Sequence, residues 1–183
     1  AFDSSGAQGL FQLTEDAMAQ LMMSNNRVID SKGTLLPTNR DESWARKEYT
    51  NYKSKLVEDH FFNACCGIEY LQYVRRNYSD YTIINGKQDP VLLYIGYNLG
   101  PGALREAYSV ITGKSASAPR AIKSISQQGK VEGVVWNGNH KETIESYIRV
   151  IAERSFSFNN VPEYLRPDTS VVGKTAKIIA GVF

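Results

Sequence analysis

"GAQGLFQLT", residues 6–14, places two glycines and two glutamines around a Leu-Phe pair just before a helix signal. Gln12 stands in an otherwise apolar entry to that helix, and an amide in such a place needs something to hold. Thr14 is a good N-cap. Glu15 and Asp16 follow in the first turn, where the helix dipole favours negative charge, and Ala17, Met18, Leu21 and Met22 recur at helical spacing. The pattern predicts a helix over 14–23. Gly6 and Gly9 give the backbone before it the freedom to turn. On these residues alone the preferred reading is that Gln12 caps the helix and the glycines only make the turn, with an amide offered to a ligand as the alternative.

Beyond Met23 the stretch 24–55 alternates turn signals with charges and reads as a surface excursion, with a helix only in "ESWARKEYTNYKSKLVEDHF". In "NACCGIEYLQYVRRNY", 63–78, Gly67, Tyr70, Leu71, Val74 and Tyr78 form one apolar helical face, with Glu69, Gln72, Arg75 and Arg76 off it. "DPVLLYIGYNLGPGALREAYSVI" opens with Asp89 as N-cap and Pro90 at the first helical position, then breaks at "GPG", 100–102, before a second short helix. Residues 113–139 read as loop with one helical segment at most. Ile144, Tyr147, Ile148 and Ile151 predict a last helix over about 142–154, and the Pro- and Gly-containing tail 156–183 is expected to be extended.

With 183 residues, 42% hydrophobic and 22% charged, the chain is long enough for one well-buried core and is not disordered in composition. A net charge of +2 lacks the basic bias that binding to nucleic acid phosphates demands. No apolar run approaches the roughly 18–20 residues of a membrane span, and the first residues lack the regions of a signal peptide, so a soluble protein is expected. Cys65 and Cys66 are adjacent, too close for ordinary disulfide geometry, and are expected to be free packing residues. With two histidines, His60 and His140, and no zinc-site spacing, neither a metal nor a cofactor is expected.

Four segments in this order, "GAQGLFQLT", "NACCGIEYL", "YIGYNLGPG" and "ETIESYIRV", resemble successive motifs of the soluble lytic transglycosylases, whose fold is lysozyme-like and close to goose-type lysozyme. The resemblance covers residues 1–155, with 24–55 as an insertion and 156–183 as a C-terminal extension. It implies a mainly α, lysozyme-like domain acting on murein. It also implies that the loop carrying Gly9, Phe11 and Gln12 lines the glycan cleft, with the Gln12 amide on the sugar and Phe11, where the family more often has Met, packing on a sugar ring. Tyr97 and Asn98 would lie on the opposite wall, although a core Tyr and a helix-ending Asn explain them equally well. Tyr147 matches a tyrosine whose hydroxyl points toward the catalytic carboxyl, and it is also a core position on its helix.

Members of that family cleave the β-1,4 bond between N-acetylmuramic acid and N-acetylglucosamine with one Glu. As acid it protonates the leaving oxygen; as base it helps the muramic 6-hydroxyl close on C1, giving a 1,6-anhydro end. Such a carboxyl needs a raised pKa and no second carboxylate. The family places it in a Glu-Ser pair about a dozen residues before the Gly-rich loop. Here only "AFDSS" precedes Gly6, so the acid is expected outside these residues. A fragment whose acid lies upstream, an acid from another polypeptide, and a domain that no longer catalyses are the three explanations; the first is preferred. Glu15 and Asp16 belong to a helix N-terminus, Glu69 lies off its apolar face, Glu142 matches a structural position and Glu145 opens the last helix, so none replaces it. The functions that follow are a murein transglycosylase, a non-catalytic glycan-binding or structural domain, and a lysozyme-like hydrolase. Peptidoglycan strands are the expected partner, with virion or secretion-apparatus proteins beside them, and the periplasmic cell wall is the place of action.

Overall fold

Thr14 caps the first helix as its position predicts. Its Oγ1 accepts from Ala17 N at 3.2 Å, and α1 runs Glu15–Met23. The computed structural model describes residues 8, 9, 11–129 and 131–156. Among them are seven α-helices, one 3-10 turn and one two-stranded hairpin, so the chain is mainly α. Gly6, and the expected extension beyond Phe156, lie outside the described residues. Contacts gather the chain into two compact units, Ala1–Arg76 and Asn77–Phe183.

In the first unit α1 packs against α2, Glu42–Glu58, and α3 spans His60–Asn77. α1 buries Ala17, Met18, Ala19, Leu21 and Met22, the face its spacing predicts. Arg46 on α2 bridges to Glu15, Asp16 and Glu42. The stretch 24–55 differs from a surface excursion: Val28, Leu36, Ala45 and Tyr49 are buried. Val28 and Leu36 are held opposite each other by Leu36 N donating to Val28 O at 2.8 Å. Between them Asp30 closes the turn, its Oδ1 accepting from Lys32 N and Thr34 N, and it is buried against Lys55. Asp59 then joins three pieces of chain. Its N–H donates to Lys55 O at the end of α2, while its carboxylate accepts from Phe62 N at the start of α3 and from Ser31 N and Oγ in the loop.

The second unit begins with the 3-10 turn Ser79–Tyr81 and the hairpin β1, Ile83–Ile84, and β2, Lys87–Gln88. The strands are antiparallel with Ile83 opposite Gln88, and Asn85 and Gly86 both take left-handed backbone in the turn between them. Asp89 caps α4, Pro90–Asn98, by accepting from Val91 N and Leu92 N. α5, Pro101–Ile111, follows the break at Gly100. The helical segment within 113–139 is α6, Pro119–Gln127, and the last helix, α7, is His140–Phe156. α5 packs on α4, α6 and α7, and its Leu104 and Val110 meet a core that includes Leu92, Ile95, Ile125 and Ile144. Each such side chain taken fully from water contributes roughly 1.5–3 kcal/mol. No described helix is long and apolar enough to cross a membrane.

Candidate functional site

The opening loop is a tight turn whose ends are pinned. Gln8 and Leu13 exchange both backbone hydrogen bonds, at 2.9 and 3.0 Å. Asn63, fully buried on α3, accepts from Phe11 N at 2.8 Å and donates Nδ2 to Gln8 O at 3.3 Å. One side chain thus replaces the ladder that the turn lacks. Gly9 has φ +70°, and a Cβ there would meet Leu56 O at 2.2 Å and Asn63 Nδ2 at 2.3 Å. Glycine is therefore required by both conformation and space. The close approach it permits is to the protein's own helix ends.

Gln12 holds its own loop. Its Nε2 donates to Gly9 O at 2.7 Å, its backbone is left-handed at φ 50°, and the side chain is exposed. The amide oxygen has no partner among the described residues, so it faces solvent as an acceptor. Phe11 is half-buried, with its ring against Gly67, where an added Cβ would lie 2.5 Å from the ring. The ring thus seats the loop on α3.

The second unit brings together two of the residues singled out from sequence and adds a third. Tyr147 on α7 is fully buried; its hydroxyl donates to Gln128 Oε1 at 2.9 Å and accepts from Asn98 Nδ2 at 3.4 Å. Burial pushes the phenol up to about 12, with Tyr94 adding to the rise and the bonds to Asn98 and Gln128 opposing it. The hydroxyl stays protonated and neutral at any physiological pH. Its one hydrogen goes to Gln128, and no described carboxyl is among its partners. Asn98, half-buried at the last turn of α4, spends its Nδ2 on Tyr147 and keeps Oδ1 free of described partners. Tyr97 beside it is half-buried. Gln12 belongs to the first unit and Tyr97, Asn98 and Tyr147 to the second.

The acids weighed from sequence are engaged elsewhere. Glu15 and Asp16 pair with Arg46, and Glu69 with Arg76 at 2.6 Å. Glu142 accepts from Asn137 and Asn139, and Glu145 faces Lys141 at 3.8 Å. The carboxyls that do shift move down: Asp30 is held at about 2, chiefly by the hydrogen bond from Lys55, and Asp59 is lowered by Phe62 N and Ser31. That is the wrong direction for a general acid. Cys65 and Cys66 are free, and burial raises both thiols, which suits packing rather than nucleophilic work. Among the described residues no cluster of His, Cys, Asp or Glu could hold a metal ion.

Sequence reasoning passed over Asn63 and Gln128. Asn63 lies on the line 63, 67, 70, 74 of α3's buried face, and a lone amide on an apolar stripe is a signal of its own. Gln128, just past α6 in a weakly patterned stretch, carries no such signal. No family model, no curated protein and no solved structure matches the chain.

Proposed function

We propose that this chain is the glycan-binding body of a murein lytic transglycosylase domain, lysozyme-like in fold, acting on the bond between N-acetylmuramic acid and N-acetylglucosamine. Its part in that reaction is to bind and position the glycan, since each acid weighed above is engaged elsewhere. The observation that carries the reading is the chain of bonds Gln128–Tyr147–Asn98. A buried neutral hydroxyl fixes which way the Asn98 amide faces, leaving an oxygen aimed away to accept from a hydroxyl or N-acetyl N–H of the sugar. Gln12 is arranged alike, its nitrogen tied to Gly9 O and its oxygen free. Amides locked through their nitrogens are preorganised acceptors, and that fits N-acetylated sugars, which carry donors and no charge at those positions. Tyr147 acts through Asn98 and is a positioning residue.

A second reading, a glycan-binding domain without catalysis, is favoured by the engagement of every acid weighed above in a pair of its own, Glu15 and Asp16 with Arg46, Glu69 with Arg76, Glu142 with Asn139 and Glu145 with Lys141. Incubation of murein glycan strands with the protein in its full encoded length, including any residues before Ala1, separates the two. Release of fragments ending in 1,6-anhydro sugar, lighter by one water than the hydrolytic product, identifies the lyase, and hydrolytic ends identify a muramidase. Binding without release identifies the second reading. In a titration with the same strands, Gln12→Ala and Tyr147→Phe are each expected to weaken binding several-fold, as loss of one hydrogen bond worth about 0.5–1.5 kcal/mol implies. Unchanged affinity in both removes these residues from a glycan site.

A further inference from the structure

The second unit carries a cluster that the glycan reading leaves unused. The Arg105 guanidinium lies over the Tyr78 ring at 5.3 Å and the Tyr81 ring at 5.5 Å. Tyr81 meets Tyr108 edge to face with ring centroids 5.7 Å apart, and Lys114 lies over Tyr108 at 4.9 Å. Tyr78 just before the 3-10 turn, Tyr81 in it and Tyr108 on α5 thus mount two exposed cations. Neither cation has a carboxylate within salt-bridge distance among the described residues. Glu106, next to Arg105 in sequence, turns instead to Arg120 and the start of α6, and Asp80 between the tyrosines forms no ion pair with either cation. Aromatic faces hold a cation without neutralising it, so both charges remain available.

We infer that Arg105 and Lys114 form a docking site for the stem-peptide carboxylates of murein, so that the ligand is a peptide-bearing glycan strand rather than bare glycan. This rests on the glycan reading above. Charge complementarity selects the ligand: the sugars are neutral where Gln12 and Asn98 offer oxygens, and the acidic groups of murein are on its peptides. A guanidinium held over rings presents a fork matched to a carboxylate, and a lysine at the far end of the cluster takes a second one. The cluster is also near the amide site in the chain, since Arg105 lies one turn into α5, which begins three residues after Asn98.

The test is affinity for two strand preparations, one with stem peptides and one stripped of them by an amidase that cuts the lactyl link, the lactyl carboxylates so freed then being capped as primary amides. The protein is expected to bind peptide-bearing strands about fivefold more tightly at low salt, an advantage that shrinks as salt is added. Arg105→Gln and Lys114→Gln, at exposed positions, should each remove part of that advantage and together all of it, while affinity for stripped strands stays the same. Equal affinity of the unmodified protein for both preparations, or an advantage that survives in the double variant, overturns the inference and leaves the glycan reading standing. Binding to neither preparation overturns both.

Discussion

Asn63 shows how much one buried amide can decide. It supplies an acceptor to Phe11 N and a donor to Gln8 O, so its loss leaves two backbone groups of the opening loop without partners. Asn63→Ala is expected to cost about 2–3 kcal/mol, measured by denaturant unfolding, and to abolish the glycan contribution of Gln12 because the loop is no longer fixed. A variant as stable as the parent would show that the loop finds other partners. The sequence identified the loop, the glycines and Gln12 as unusual, and left open whether the amide serves a ligand or the turn. Both answers have a physical share: the nitrogen closes the turn on Gly9, and the oxygen remains outward. What could not be read was Asn63's part, because the two residues it joins to α3 lie more than fifty positions earlier in the chain. Phe11 was expected on a sugar, yet the missing side chain of Gly67 is what gives its ring a seat, and no local pattern announces that pairing.

At the level of elements, those with local start signals were legible. Thr14, Asp89 and the prolines at 90 and 101 mark α1, α4 and α5, and the apolar spacing of α3 and α7 gives their buried faces. The hairpin at 83–88 was passed over although Asn85-Gly86 is the strongest two-residue hairpin signal, since its strands are only two residues each. Burial within 24–55 was missed because Val28 and Leu36 stand singly among polar neighbours and are brought together by a turn around Asp30. α6 is a different case. Ala118 provides no side-chain cap, and Glu106 on α5 accepts from Arg120 N at 2.6 Å and Ala121 N at 3.0 Å in its place. Glu106→Ala is expected to destabilise by about 1 kcal/mol and to speed amide exchange within 119–127 first, whereas Glu106→Gln keeps an acceptor and loses less. Exchange in α6 that does not change in the alanine variant would mean that the helix is held by packing alone.

Across the whole molecule, the two units differ in what acid does to them. Asp30 and Asp59 belong to the first, and their folded carboxyls are held below the usual value of about 4, so the stability they lend is present above pH 4 and is lost as pH falls, for Asp30 toward about 2. Tyr147 belongs to the second. Its folded phenol titrates at about 12 against roughly 10 when unfolded, so its contribution is whole below pH 10 and is lost as pH climbs toward 12. Each unit also contains one of the chain's two tryptophans, Trp44 in the first and Trp136 in the second. Fluorescence of Trp136→Phe, which keeps only Trp44, should report an acid transition that Trp44→Phe lacks, whereas burial raises tyrosines in both units, Tyr49 and Tyr52 in the first and Tyr94 and Tyr147 in the second, so an alkaline limb is expected at each indole. An acid transition of equal size at both indoles would refute the assignment. Asp59 has a consequence of another kind. Because its N–H and both carboxylate oxygens are spoken for by three separate pieces of chain, a glutamate there is one methylene too long and an asparagine has one acceptor too few. In a library of all single substitutions selected for folding, codon 59 should therefore tolerate almost no replacement, while its charged neighbour Glu58 drifts freely.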